Sequence, residues 1–534
     1  LLISAAKQSG VKYDAARLRW AMMSSARFLS GYGAEAQGAG LLQVDAAWEA
    51  LKTAPNPIQI MSRAPVKAVL SEYLHEPNQG IGIYEREGWT AGQLGQRMIT
   101  FTRTSGDSKP ITYSLRWTGN DGTYLTAQEI TLPLRVPVEL PVRINPKTMG
   151  VHSAILNLDS LTAPAIYQVL TTVVAAEQFT AANRFSFSRP GEVNWLDSQS
   201  YFIRVPPGVA ALRVDIKITQ GNVMPSLTRP NGRFYYSLAF DPRPVKFTAY
   251  QTAGSWSRVI ARPDPGVWQM TVDNCDIYEP VPDRKHDNAL FAITATLMGV
   301  EIHPSELMVN LALNGSRYSK TISFQNKLGS FTGGLAGGPL SSVFSALLTS
   351  NWRDGTVQYQ IAIPPGSTKL GALVSAGLSA DIDLYLFDCT GKECVLKDFS
   401  NGAGSNERVE VAAPAAGSWK VLIDSFSHPR NEISFNYRDY FMHPAFGNIT
   451  AKENSGRHDN GITVMQDVIL QVDALPVGTR YVAGTVDVLG LASSNTDSQL
   501  KNSESSQPAY PKQAVLGSAD VDIKNQGRVS TKLQ

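Results

Sequence analysis

From about residue 78 the chain alternates apolar and polar positions with a period of two, as in Ile99-Thr100-Phe101-Thr102 and Tyr113-Ser114-Leu115-Arg116-Trp117. Turn residues such as Gly119-Asn120-Asp121-Gly122 separate the runs. Successive side chains on a strand face opposite sides, so this alternation predicts half-buried strands, with further ones over 136–142, 152–158 and 167–174. Residues 1–51 differ. The stretch from Asp14 to Met23 is rich in helix formers and sets Leu18, Ala21, Met22 and Ser25 at helical spacing. After Gly31-Tyr32-Gly33 and the run Gln37 to Val44, a second short helical stretch ends at Trp48 and Leu51. Pro55 and Pro57 break helix and strand alike, and 52–77 is read as a linker.

An internal repeat organises the rest of the chain. Asn194-Trp195-Leu196-Asp197, with Tyr201 to Gly208 behind it, returns about 150 to 160 residues later as Asn351-Trp352-Arg353-Asp354 with Tyr359 to Gly366, both runs closing on Pro-Pro-Gly. Pro263 to Asp273 likewise matches Pro414 to Asp424. Two copies are too few for a solenoid. The fold class expected is therefore mainly β, a multidomain array of antiparallel β-sandwiches or jelly rolls behind a short helical segment. In order these are a fibronectin type III-sized sandwich over 78–178, a first repeat over 179–287, a small strand-rich segment over 288–344, a second repeat over 345–445 and another small segment over 446–494. The polar stretch 495–534 is expected to be a flexible tail.

Composition narrows the function. With 43% hydrophobic and 18% charged residues among 534 the chain is a folded one. Its net charge of +2 is too small to suggest a nucleic-acid or membrane-surface partner. No apolar run is long enough to span a bilayer. Leu1 to Ala6 reads as the inside of a helix, so the sequence is expected to begin within a longer protein. Of three cysteines, Cys389 and Cys394 flank Thr390-Gly391-Lys392-Glu393, which is compatible with a small disulfide or with two reduced thiols, and Cys275 reads as a buried thiol.

The chain holds no Gly-x-Ser-x-Gly elbow, Walker loop or His-Glu-x-x-His, and no candidate catalytic or cofactor-binding residues. Gly31-x-Gly33-x-x-Ala36 follows a helix where a dinucleotide fingerprint follows a strand. His286-Asp287 and His458-Asp459 read as solvated boundary residues. Asp381 and Asp383 alternate along one strand and are, with Asp388, candidate ligands for a structural calcium ion. No cofactor is required. Trp195, Trp268, Trp352 and Trp419 recur at repeat positions and are read as core, with an aromatic platform for sugar or peptide as the rival.

The N-terminal segment resembles the end of the catalytic domain of subtilisin-like serine peptidases, with Leu1 to Ala6 similar to the far end of the nucleophile-bearing helix and Tyr13 to Ala26 to the next. Gly38, Gly40, Leu41, Val44 and Ala47 resemble the segment that closes that domain. Gly82 to Trp89 looks like the opening of the accessory sandwich of large bacterial subtilases. Asp381 to Phe387 and Gly417-Ser418-Trp419 resemble bacterial pre-peptidase C-terminal domains, and the order of parts is similar to tripeptidyl-peptidase-II-like subtilases. The resemblance implies a secreted or cell-surface bacterial serine-type endopeptidase whose triad lies about a dozen residues or more upstream, so that this portion alone is inactive. It implies protein or peptide substrates, an upstream catalytic domain against which Leu18 and Trp20 pack, and leaves homo-oligomerisation open. The alternative is a noncatalytic extracellular binding or adhesion array.

Overall fold

The computed structural model describes residues 1–54, 58–161, 163–237, 251–274, 288–311, 316–351, 356–376, 381–401, 406–427, 432–451, 456–491 and 513–525. They fall into two compact units, one built essentially from residues 1–297 and the other from 298–525.

In the first unit, helices span Leu2–Ser9, Ala15–Ser24 and Val44–Lys52, with one short turn at Ala34–Gln37. The Asp14 carboxylate accepts from the Arg17 N–H at 2.8 Å and so satisfies a donor that the first turn of the second helix leaves open. Gly10 ends the first helix at φ 67°, a left-handed conformation that a residue without Cβ enters without strain. Ala6, Ala21 and Leu51 form the small core of this segment, with Leu18, Trp20 and Trp48 packed at its edge.

Ile60–Lys67 is a strand, inside the stretch expected to be a linker. It pairs antiparallel with Gly95–Arg103, then parallel with Tyr84–Trp89, and changes partner around Pro65. Because it serves three ladders, the third a short antiparallel one with Gln79–Gly80, only Ile60 and Ala64 are buried, and no period of two is visible in its sequence. The path continues through Tyr167–Ala175, Gly150–Asp159 and Ile111–Thr118, ten strands in all. They enclose one core that includes Trp89, Phe101, Tyr113, Leu156 and Val173.

The first repeat follows as strands Ser186–Val193, Ser198–Val205, Ala211–Thr228, Gly266–Asp273 and Ala289–Met298. Ala289–Met298 pairs along its length with Ser186–Val193, so this sandwich ends at about 298 rather than 287.

In the second unit the two small segments expected after each repeat combine with each other. Ser316–Asn326 pairs antiparallel with Thr463–Val472, which also pairs with Gly447–Ala451, in a four-stranded sheet. Gln513–Asn525, inside the expected tail, is a strand: it pairs antiparallel with Tyr481–Leu491 and parallel with Glu306–Leu311. These three strands belong to a nine-stranded sheet that runs on through Ser341–Asn351, Glu432–Met442, Lys369–Ala376 and Asn406–Ala412 of the second repeat. A second four-stranded sheet, Thr356–Ile363, Gly417–Ser427, Asp381–Asp388 and Val395–Ser400, shares a core with the last of these, including Ile382, Leu384, Trp419, Val421 and Phe435. One shared sheet thus serves two adjoining sandwiches.

The repeat seen in the sequence is a repeat of register. Ile203 faces Trp268 and Val205 faces Gly266 in the first copy; Ile361 faces Trp419 and Ile363 faces Gly417 in the second. Trp268 Nε1 donates to the Asp264 carbonyl at 2.8 Å, and Trp419 Nε1 to the Ala415 carbonyl at 2.9 Å. Arg262 and Ala413, each before a proline, share φ 47° and donate to the Ala210 and Thr368 carbonyls. The topologies differ in one respect: the bent strand Ala211–Thr228, with Gly221 at φ 72°, takes the place of the separate strands Lys369–Ala376 and Asp381–Asp388.

Candidate functional site

The residues picked out by sequence do not assemble into one centre. Asp381 and Asp388 open and close an eight-residue strand, which at 3.3 Å per residue holds them roughly 23 Å apart. Asp388 instead caps the loop behind it, accepting from Thr390 N at 3.0 Å and Thr390 Oγ1 at 2.6 Å, and these bonds hold its carboxyl below the ordinary range. Asp383 stands opposite Asp424 on the neighbouring strand and accepts from the Tyr385 hydroxyl at 3.0 Å. Burial pushes the Asp383 carboxyl up, the Tyr385 bond opposes this, and the charges of Asp381 and Asp424 add to the rise. Among the described residues no group of three or more His, Cys, Asp or Glu side chains is arranged to hold a metal.

Trp268 and Trp419 are each 1% exposed, which excludes them as a platform and places them in the two cores. Trp195 is half-buried, while Trp352, Cys275 and His286-Asp287 lie outside the described residues. His458 is buried, correcting its reading as a solvated boundary residue: its ring packs edge-on to Phe324 and its Nε2–H donates to the Gly333 carbonyl at 3.0 Å. Asp459 turns away and accepts from Ser330 at 2.7 Å. Cys389 and Cys394 are joined in a disulfide.

A second histidine also serves structure. His152 Nδ1 lies 2.6 Å from Asp121 and 3.0 Å from Thr123 Oγ1, and its Nε2–H donates to the Thr148 carbonyl at 2.9 Å. Burial raises the Asp121 carboxyl, but the bonds from Thr123 and His152 more than offset it and leave it below the ordinary range. With both ring nitrogens engaged, this histidine is not free to act as a general base.

What the first unit does bring together are two junctions. The helical segment seats on the sandwich behind it: Trp20 Nε1 donates to the Pro164 carbonyl at 2.9 Å, the Ser153 hydroxyl donates to the Glu35 carboxylate, and Glu35 N–H donates back to Ser153 Oγ at 3.1 Å. A Cβ at Gly119 would stand 2.5 Å from the Phe28 ring, so the absence of a side chain there makes room for the contact. The second junction fastens that sandwich to the first repeat. Phe202 and Val267, from the repeat, share a small core with Val174 and Ala176. Glu87 Oε1 accepts from the Val267 N–H at 2.6 Å, and Arg86 Nε and Nη2 donate to the Val267 carbonyl at 3.3 Å. Two side chains thereby do for Val267 what a neighbouring strand does elsewhere. Arg86 also lies over the Phe202 ring at 5.7 Å. Sequence reasoning missed all four residues. Phe202 and Val267 were visible as apolar positions where the second repeat has Gln360 and Ser418; Arg86 and Glu87 carry no signal of their own.

The arrangement is that of a mainly β array in which a sandwich is locked between a helical segment and the first repeat. Over residues 61–175 the chain matches the family model of the Ig-like domain in actinomycete serine proteases, so it carries a protease-associated β domain. No curated protein matches the sequence. Among solved structures it is similar to tripeptidyl peptidase 2, at 12% identity and TM-score 0.49 over 99% of this chain and 46% of that one. It is also similar to the secreted serine protease VesC from Vibrio cholerae, at 9% identity and TM-score 0.25 over 40% of this chain and 49% of that one. A third likeness is to the major capsid protein P2 of bacteriophage PM2, at 12% identity and TM-score 0.14 over 48% and 97%. The chain thus spans about half the length of the first two, and likenesses of this order carry no functional argument. Among the described residues no helix is long and apolar enough to cross a membrane.

Proposed function

We propose that the chain is the C-terminal accessory portion of a secreted subtilisin-like serine peptidase whose Ser, His and Asp precede it in the full protein. The observation that carries this reading is the protease-associated Ig-like domain at 61–175, directly behind a helical segment with the glycine and alanine spacing of a closing subtilase domain. On this reading the Glu35–Ser153 and Trp20–Pro164 contacts brace the end of the catalytic domain. The bracing follows physically, because a peptidase site needs its triad held to within a fraction of an ångström and rigid neighbours supply that. The test compares this 534-residue chain with the product of the longer gene, using a fluorophosphonate probe and casein hydrolysis. Labelling of the longer product alone is expected. Labelling of neither overturns the peptidase reading, and labelling of the 534-residue chain overturns the upstream placement of the nucleophile.

A further inference from the structure

The outward face of the four-stranded sheet in the second repeat carries a feature that core packing does not use. Leu384 and Leu386 point into the core, so Tyr385 and Phe387 between them point out. The cross-strand pairs then line up as two rows: Gln358, Leu422, Tyr385 and Phe399 in one, Gln360, Lys420, Phe387 and Leu396 in the other. With strands about 4.8 Å apart, each row crosses roughly 14 Å of sheet. Phe399 is 53% exposed and Leu396 44%. The Tyr385 and Phe399 rings stand 6.5 Å apart with their planes only 19° from parallel, a cross-strand aromatic pair on this face. Lys420 Nζ lies 4.9 Å from the centre of the Phe387 ring. The half-buried Asp424 borders the first row on one side, opposite the buried Asp383, and the exposed amides of Gln358 and Gln360 close one end of both.

We propose that this face binds a neutral, β-linked polysaccharide. Each sugar ring presents a flat C–H face, which rests on aromatic rings, and a rim of hydroxyls, which suits amides and carboxylates set beside those rings. A protein partner is the poorer fit, because the fully buried centre of a protein interface is depleted of charge and here Lys420 sits among the rings. The two rows each cross all four strands, which gives the extended path that a β-linked chain follows. In the first repeat the corresponding strand has Val267, Gln269 and Thr271 where the second has Ser418, Lys420 and Leu422, and Ser226 and Thr228 stand where the second has Tyr385 and Phe387. The proposal is independent of the peptidase reading and is tested without any peptidase assay.

The 534-residue chain is mixed with acid-swollen cellulose, with chitin and, separately, with gelatin resin, and the unbound fraction is measured. Retention on a polysaccharide is expected, with at least a tenfold loss for Tyr385→Ala combined with Phe399→Ala and little loss for Phe399→Trp. Gln358→Ala with Gln360→Ala, at exposed positions, is expected to weaken retention several-fold and guards against a variant that misfolds; unfolding midpoints are compared throughout. Failure of the wild type to bind either polysaccharide overturns the proposal. So does equal retention of all variants, or retention on gelatin that the same substitutions abolish.

Discussion

In the first repeat the strand Ser198–Val205 sets Phe202 and Arg204 on its outward face; in the second, Thr356–Ile363 sets Gln360 and Ala362 at the corresponding places. Inward, the two strands agree residue for residue in register, and each Trp bonds the carbonyl four residues back. Outward, Phe202 and Val267 are closed over by the Ig-like sandwich, whereas Gln360 and Ser418 are exposed. The same backbone position is served differently too. The Val267 carbonyl accepts from Arg86, and the Ser418 carbonyl accepts from Cys389 N at 3.0 Å. Beside it, a Cβ on Gly266 would stand 2.8 Å from Pro230 and 3.0 Å from Glu87, while one on Gly417 would stand 2.8 Å from Thr390 of the disulfide loop. One module is held by its neighbour, the other by its own cross-link. A duplicated sandwich can therefore keep its core register and take up a new contact through a handful of outward positions, because alternate residues on a strand answer to different surroundings.

The largest expected effect tests the shared half of this comparison. Trp268→Ala and Trp419→Ala each remove a buried ring and a hydrogen bond, and each is expected to cost about 3–5 kcal/mol. The loss falls on the unit that contains the residue and has similar size in both. Urea unfolding followed by hydrogen exchange of the two units resolves this; a large loss in one copy and a small one in the other breaks the equivalence of the cores.

Making the first copy resemble the second tests the half that differs. Phe202→Gln with Val267→Ser withdraws two apolar side chains from the small core they share with Val174 and Ala176. About 2–3 kcal/mol of coupling between the Ig-like sandwich and the first repeat is expected to go, and exchange protection at Tyr84–Trp89 with it. The reverse change in the second copy, Gln360→Phe, lands on an exposed position and is expected to stay within about 0.5 kcal/mol. Equal effects in the two copies would show that the outward faces do not distinguish them.

Next in size is the cross-link. Cys389→Ser with Cys394→Ser opens a loop whose ends are five residues apart, and the loop-closure relation gives about 2 kcal/mol. The loss should appear in the second unit and leave the first unchanged, since the hairpin that corresponds to it, with its turn at Arg229 to Arg233, has no cysteine. If the second unit is indifferent to reduction, the loop does not replace a neighbour.

Legibility in the sequence followed the range of the forces involved. The helix Ala15–Ser24 was readable because Asp14 caps it and the apolar spacing is local. The repeat was readable because Pro-Pro-Gly and the Gly-x-Trp strand are short and recur together. The pairing of Ser316–Asn326 with Thr463–Val472 was not, since its partners lie nearly 150 residues apart and nothing local names the partner. Gln513–Asn525 was missed for a related reason. Ala514 and Leu516 are buried, then Ala519, Val521 and Ile523, and the shift of phase at the bulge beside Val515 and Gly517 interrupts the alternation in a polar stretch. For the calcium candidates, the carboxylates of one strand were legible but not the strand's length in space, which separates Asp388 from the other two.

The smallest effect concerns the acidic ends of the two matched strands. Asp273 in the first copy faces Met224, and burial raises its carboxyl. Asp424 in the second faces Asp383, whose carboxyl is raised first by burial and then by the charges of Asp381 and Asp424. A carboxyl with a folded pKa above its unfolded value of about 3.9 binds its proton more tightly when folded. Its contribution is thus most favourable below the unfolded value, declines as pH rises toward the raised folded value, and is level above that. Asp424→Asn removes one of the neighbouring charges, lowers the folded pKa of Asp383 and should flatten that decline in the second unit, while the first unit keeps its own slope. Urea midpoints of both units measured across the acid range would show it. An unchanged slope in the second unit would mean that the charge of Asp424 does not act on Asp383, and that facing acidic residues do not set the second copy apart from the first.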